Sequence, residues 1–202
     1  LQRNTAAGSI RRARPLPARR GLESADVSLL SRTMKLHIGG KEVREGWKIL
    51  NIQRLPGVDY VGDISDLGQF ADRSIDEIYA SHVLEHVKGP DIARTLSGIY
   101  RVLKRGGKFM VAVPDMDVLC KIMLDTDMPA EIKVRFVGML FGGQKDANDF
   151  HYFGWNFQIM QYLFEEAGFM EISRVESFGL FVDTSEFRPM DYRISLNAIA
   201  IK

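Results

Sequence analysis

The chain has 202 residues, 46% of them hydrophobic and 26% charged, values that fit one globular domain with its own core. No apolar run approaches the ~18 residues needed to cross a bilayer. A single cysteine, Cys120, excludes an internal disulfide framework and a cysteine-based zinc cage. The formal net charge of +1 is a sum of unlike parts: residues 1–33 carry seven arginines against Glu23 and Asp26, a net of +5, which leaves residues 34–202 at −4. A slightly acidic body has no bulk field with which to capture nucleic acid.

Residues 1–33 are expected to form a basic, disordered leader, apart from a domain over 34–202. Pro15 and Pro17 interrupt any helix through its most basic part. Arginine, serine and alanine with no acid before Glu23 match a transit peptide. A nucleic-acid-binding arm lacks an aromatic for base stacking. The third reading is a non-native leader, because Met34 opens the first convincing strand.

From Met34 short apolar runs alternate with amphipathic segments, the pattern of an α/β sheet. Strands are expected at Met34–Ile38, Lys48–Ile52, Asp59–Gly62 and Asp76–Ser81. The nine residues GGKEVREGW between the first two are too few for a full crossover helix. Asp91–Lys104 places Ile92, Leu96, Ile99 and Leu103 on one helical face, with Lys104 and Arg105 in the last turn and Gly106 as the stop. Lys108–Val113, nearly all apolar, predicts a strand buried on both faces. A helical region from about Asp117 to Phe141 breaks near Pro129. Asn156 caps a helix to Ala167 that Gly168 ends. Phe169–Phe178 and Tyr192–Ile201 are joined by too short and polar a loop for a crossover helix, so they should pair antiparallel. The fold class is therefore a Rossmann-like, mostly parallel sheet closed by a C-terminal antiparallel pair.

In such sheets ligands bind beyond the carboxyl ends of the strands, where strand order reverses. After the first strand stand Gly39 and Gly40, which let a ligand approach the backbone. Neither a Gly-x-Gly-x-x-Gly fingerprint nor a phosphate-binding loop is present, which disfavours a nicotinamide-dependent oxidoreductase. The second strand ends at Asn51, where a ribose-binding fold wants a carboxylate. The third leads to Asp63, either an acceptor for an exocyclic amine or a cap on the turn that follows. The fourth leads to Ser-His-Val-Leu-Glu-His, in which His82 and His86 would share a helical face as a metal pair. No third ligand can be fixed from the sequence, and no metal is expected.

The stretch VDYVGDISDLGQFADRSIDEIYASHVLEHV, with IYRVLKRGGKFMVAVPD after it, resembles the class I S-adenosylmethionine-dependent methyltransferases over roughly residues 34–118. It is most similar to the small bacterial type in which a Cys-Gly-x-Gly loop leads almost directly to a Gly-Trp-x-Asn-x-Asp strand. The resemblance implies S-adenosyl-L-methionine as cofactor. Ile38, Gly39 and Gly40 match the loop under its methionine part. Asn51 stands at the ribose position, Asp63 and Ile64 at the adenine, and Ser81 and His82 beside the methionine moiety. Lys104–Gly107 match a structural Lys-Pro-Gly-Gly turn. Two departures stand out: the glycine loop is shortened, and the ribose acid has become Asn51, which loses the charge-assisted part of the bond. Restoring it as Asn51→Asp is expected to tighten cofactor binding.

On the acceptor side, FGGQKDANDFHYFGWNF from Phe141 to Phe157 gathers aromatics around His151. It is expected to form a loop over the cofactor edge or a homodimer contact. His151 and His82 are the candidate catalytic residues, His151 as a base for a hydroxyl acceptor. No Asn-Pro-Pro-Tyr-type motif follows the fourth strand, which argues against methylation of base or glutamine amines. The leading expectation is a cytoplasmic enzyme that methylates a small molecule, without membrane or nucleic-acid partners. The alternative is an inactive methyltransferase-like binding or assembly module.

Overall fold

The computed structural model describes residues 33–202; the expected leader lies outside the described residues except for Thr33. Seven strands make one sheet: β1 Lys35–Ile38, β2 Trp47–Asn51, β3 Tyr60–Val61, β4 Ile75–Ser81, β5 Leu103–Pro114, β6 Met170–Arg174 and β7 Ser195–Ile201. Their order is β3-β2-β1-β4-β5-β7-β6. The first five strands run parallel, and β7 lies antiparallel between β5 and β6, as the sequence predicts. The helices are α1 Ile92–Val102, α2 Met116–Leu124, α3 Ala130–Phe141 and α4 Phe157–Glu166.

The period-2 alternation of the strands sorts side chains onto two unlike faces. Leu36 and Ile38, Ile78 and Ala80, Phe109, Val111 and Val113, and Leu196 and Ala198 enter the main core against Leu96 and Ile99 of α1 and Met160 and Phe164 of α4. Each of the larger side chains in this set contributes about 1.5–3 kcal/mol on burial. His37, Trp47, Tyr79 and Met110 point the other way and are covered by Phe178, Leu180 and Phe181 from the β6–β7 connection. Residues 39–46 join β1 to β2 without a helix, so a loop takes the place of a crossover helix there.

Three boundaries differ clearly from expectation: β6 ends at Arg174 rather than Phe178, β7 starts at Ser195 rather than Tyr192, and β5 begins at Leu103 rather than Lys108. The α1 helix stops at Val102, and Leu103 already pairs with Ile75 of β4. Pairing resumes at Glu77 and Lys108, so residues between bulge out of register. Gly106 takes a left-handed φ of 71° within that bulge. A Cβ on Gly107 would lie 2.8 Å from the Lys104 carbonyl. The glycines therefore shape a strand entry rather than stop a helix. Among the described residues no helix is long and apolar enough to cross a membrane.

The reversal of strand order falls between β1 and β4. From β1 the chain moves outward to β2 and β3, then returns to the far side of β1 as β4. Loops leaving the carboxyl ends of β1 and β4 diverge there and leave a crevice.

Candidate functional site

A cleft of about 670 Å³ opens at that crevice, a volume within the ordinary range for small-molecule sites. Its near wall is made by the ends of β1, β2, β3 and β4, and its far wall by Asp146–Asp149 and Tyr152, from the connection between α3 and α4. Of the expected cofactor residues, Ile38, Gly39, Asn51, Asp63, Ile64, Ser81 and His82 stand in the wall.

Gly40 does not. It is buried, and a Cβ there would lie 2.5 Å from the His37 ring, so this glycine makes room for a core histidine. Gly39 is the glycine that shapes the cleft. Its φ of +77° is left-handed, and a Cβ would meet Val83 at 2.5 Å. Burial holds the His37 pKa down at about 4, with Asp183 opposing weakly.

Asn51 reaches the wall in a different role from the one its position suggests. Its Nδ2 donates to the carbonyls of Gly39 at 3.2 Å and Gly40 at 3.0 Å, while Oδ1 accepts from Gln53 N at 2.9 Å. Both halves of the amide are spent on the protein, so Asn51 staples the shortened glycine loop to the end of β2. A carboxylate could not make the two donations. This role argues against the expectation that Asn51→Asp restores a missing ligand. Asp63 serves as a cap, its Oδ1 accepting from Ser65 N at 2.7 Å, and it also lines the cleft.

His82 follows β4 with a left-handed φ of 52°, held by its N–H donating to Ala112 O at 2.8 Å. Ser195 Oγ donates its one proton to Thr184 O, so the 2.8 Å contact between it and His82 Nε2 requires the imidazole to donate. The other nitrogen, Nδ1, lies 3.2 Å from Glu85 Oε1. Both nitrogens face protein partners, so His82 is a wall residue rather than a base presented to the cleft.

His151 is not in the wall at all. Its Nδ1 contacts Met139 O at 3.0 Å, and its ring stands edge-on to His86 with centroids 4.8 Å apart. Burial pushes its pKa down, while the carboxylate of Glu85 pulls the other way. His82 and His86 do not share a helical face, the condition on which their pairing at a metal depended. Residues Leu84–His86 form a single 3-10 turn, and His86 meets His151. Glu85, which was not among the candidate site residues, lies at the centre of these histidines and is 1% exposed. The signal was its place beside His86, but its burial depends on a segment far along the chain.

The aromatic segment divides. Trp155 is fully buried and bridges to Asp115, and Phe153 packs on it with centroids 4.7 Å apart. Tyr152 alone of these aromatics lines the cleft, with Lys88 over its ring at 5.7 Å.

Residues 23–111 match a family model described as a methyltransferase domain. Among solved structures, the Burkholderia thailandensis 1,6-didemethyltoxoflavin-N1-methyltransferase shares 16% identity with a TM-score of 0.54, covering 87% of this chain and 73% of its own. A SAM-dependent methyltransferase from Archaeoglobus fulgidus shares 16% identity with a TM-score of 0.52, covering 84% and 86%. The chain has the class I methyltransferase fold. The resemblance seen over residues 34–118 and this family match agree on the segment from β1 into β5. The SeMet-substituted CurJ carbon methyltransferase is also similar, at 15% identity and a TM-score of 0.52, but this chain covers only 49% of it. No curated protein matches the chain significantly by sequence.

Proposed function

We propose that the chain binds S-adenosyl-L-methionine in the cleft and transfers its methyl group to a small-molecule acceptor. The observation that carries this reading is the convergence of Ile38, Gly39, Asp63, Ile64, Ser81 and His82 on one cleft at the strand-order reversal. The bound cofactor supplies an electrophilic methyl group on a sulfonium. The protein's part is placement: Gly39 lets the backbone come close, Asn51 fixes the loop that carries it, and Asp63 offers a carboxylate oxygen for an amine. The wall formed by Asp146–Asp149 and Tyr152 is the acceptor side. Methyl transfer needs chiefly in-line alignment, which position alone supplies. That suits a cleft in which His82 turns both nitrogens toward the protein.

An exposed, unpaired Cys120 suits a reducing compartment and so a cytoplasmic enzyme. A homodimer contact through 141–157 is left with Phe141 and Tyr152, since Phe153 and Trp155 pack within the chain. One observation favours the second reading, a binding module without catalysis: Asn51 is committed to the loop, so its amide supplies no ribose ligand. Calorimetric titration with S-adenosylmethionine and S-adenosylhomocysteine tests the first reading. Saturable binding of both is expected, followed by cofactor turnover with a hydroxyl- or amine-bearing acceptor. Absence of heat and of thermal shift at millimolar ligand would sink it, and binding without turnover across an acceptor panel would favour the module.

A further inference from the structure

We propose that Glu85, His86 and His151 form a binding site for a divalent transition-metal ion at the wall of the cleft. One ligating atom from each of the three lies within 4.8 Å of the others. They come from two segments that the backbone pins together, since the N–H groups of Tyr152 and Phe153 both donate to the carbonyl of Glu85, at 2.8 and 3.2 Å. His86 is the member that lines the cleft.

Three features separate this cluster from an ordinary buried histidine pair. First, the Glu85 side chain is 1% exposed and neither carboxylate oxygen has a hydrogen-bond partner. The nearby His82 Nδ1 at 3.2 Å lacks hydrogen-bonding geometry, and His151 Nε2 stands off at 4.0 Å. A buried carboxylate in that state is costly unless a cation completes it.

Second, backbone carbonyls fix the tautomer of both histidines and leave one ring nitrogen of each with a lone pair for a metal. His86 Nδ1 lies 3.0 Å from Phe150 O, and His151 Nδ1 lies 3.0 Å from Met139 O. A carbonyl only accepts, so each Nδ1 carries the proton and each Nε2 keeps its lone pair. Backbone carbonyls that orient imidazoles in this way are the usual outer shell of a metal-bound histidine.

Third, the donor set is selective. Two imidazoles and one carboxylate suit zinc, cobalt or iron(II), whereas magnesium and calcium prefer oxygen. Three protein ligands leave a coordination position for a further ligand, as in zinc sites that act on substrate. With bonds of ~2.0–2.1 Å, tetrahedral ligands sit about 3.3 Å apart, so side-chain rotations of about 1 Å close the cluster on an ion. An oxygen of the acceptor is the chemical class that the remaining position would take, an assignment that rests on methyl transfer in the cleft. Metal binding itself does not.

The test is equilibrium dialysis of the chelator-stripped full chain against Zn²⁺ and Co²⁺, with metal measured by mass spectrometry. One ion per chain at micromolar affinity is expected, along with visible cobalt absorption. Glu85→Gln and His151→Ala should each weaken binding by about 100-fold or more. Cys120→Ser and His37→Gln should leave it intact. Where a site variant fails to fold, long-range ¹H–¹⁵N spectra of the unsubstituted protein decide: zinc should shift the Nε2 signals of His86 and His151 and leave those of His37 in place. Substoichiometric metal, loss of binding in Cys120→Ser, or unchanged affinity in Glu85→Gln would overturn the site. S-adenosylhomocysteine titration of the metal-free protein is run in parallel, so failure of either site is read separately.

Discussion

The replacement Asn51→Asp separates two roles that sequence position alone conflates. Were the residue a weakened ribose ligand, the carboxylate would tighten cofactor binding. The structure predicts the opposite. The amide donates to Gly39 O at 3.2 Å and Gly40 O at 3.0 Å, and the residue is 6% exposed. A carboxylate there loses two hydrogen bonds, worth about 1 kcal/mol each, and sets an anionic oxygen against two carbonyls left without a donor. The sum is a destabilisation of about 2–4 kcal/mol, with the glycine loop the first part to move. The introduced carboxyl is buried beside acceptors, so its folded pKa rises above the unfolded value. The deficit relative to the unsubstituted protein is therefore full at neutral pH and shrinks as pH falls through that raised pKa, because the protonated group regains one donor. Urea unfolding from neutral to acid pH, with and without S-adenosylhomocysteine, measures both effects. Unchanged stability together with tighter binding would refute the staple and return Asn51 to the ribose.

Three further outcomes follow from other positions. His37 is buried with its pKa lowered to about 4, so its neutral form is favoured in the fold; stability present above the unfolded pKa of about 6.5 should fall by about 3 kcal/mol as pH drops to about 4. His37→Phe, which keeps a ring against Phe181, should flatten that part of the pH–stability curve, and an unaltered slope would contradict the assignment. Asp63→Asn keeps the cap on Ser65 but removes the charge, so S-adenosylhomocysteine affinity should fall about tenfold with the melting temperature little changed, as calorimetry would show. Asn156 Oδ1 caps α4 by accepting from Ile159 N at 2.9 Å; Asn156→Ala should cost about 1 kcal/mol in urea unfolding, and Asn156→Ser should recover most of it.

Why some of this was legible in the sequence and some was not comes down to the range of the interactions involved. The runs Lys108–Val113 and Asp76–Ser81 mark strands because alternation and apolar runs are local properties, and β4 and β5 formed there. Asn156 and Gly168 mark the ends of α4 because caps act within a turn. The boundary at Leu103 is ambiguous in sequence because a basic last turn followed by glycine serves a helix end and a bulged strand entry equally well. The choice is made by pairing with Ile75, twenty-eight positions earlier. The cleft residues were legible as a set because each follows a strand, but their roles were not. Whether Asn51 holds a ligand or a loop depends on where two carbonyls point, and whether His82 is a base depends on Ser195 and Glu85. Glu85 is the clearest case. Nothing local to its turn marks it as buried; the run through Tyr152 and Phe153 docks on its carbonyl and brings His151 with it. Topology makes that cluster, so a local reading could find its parts but not that they meet.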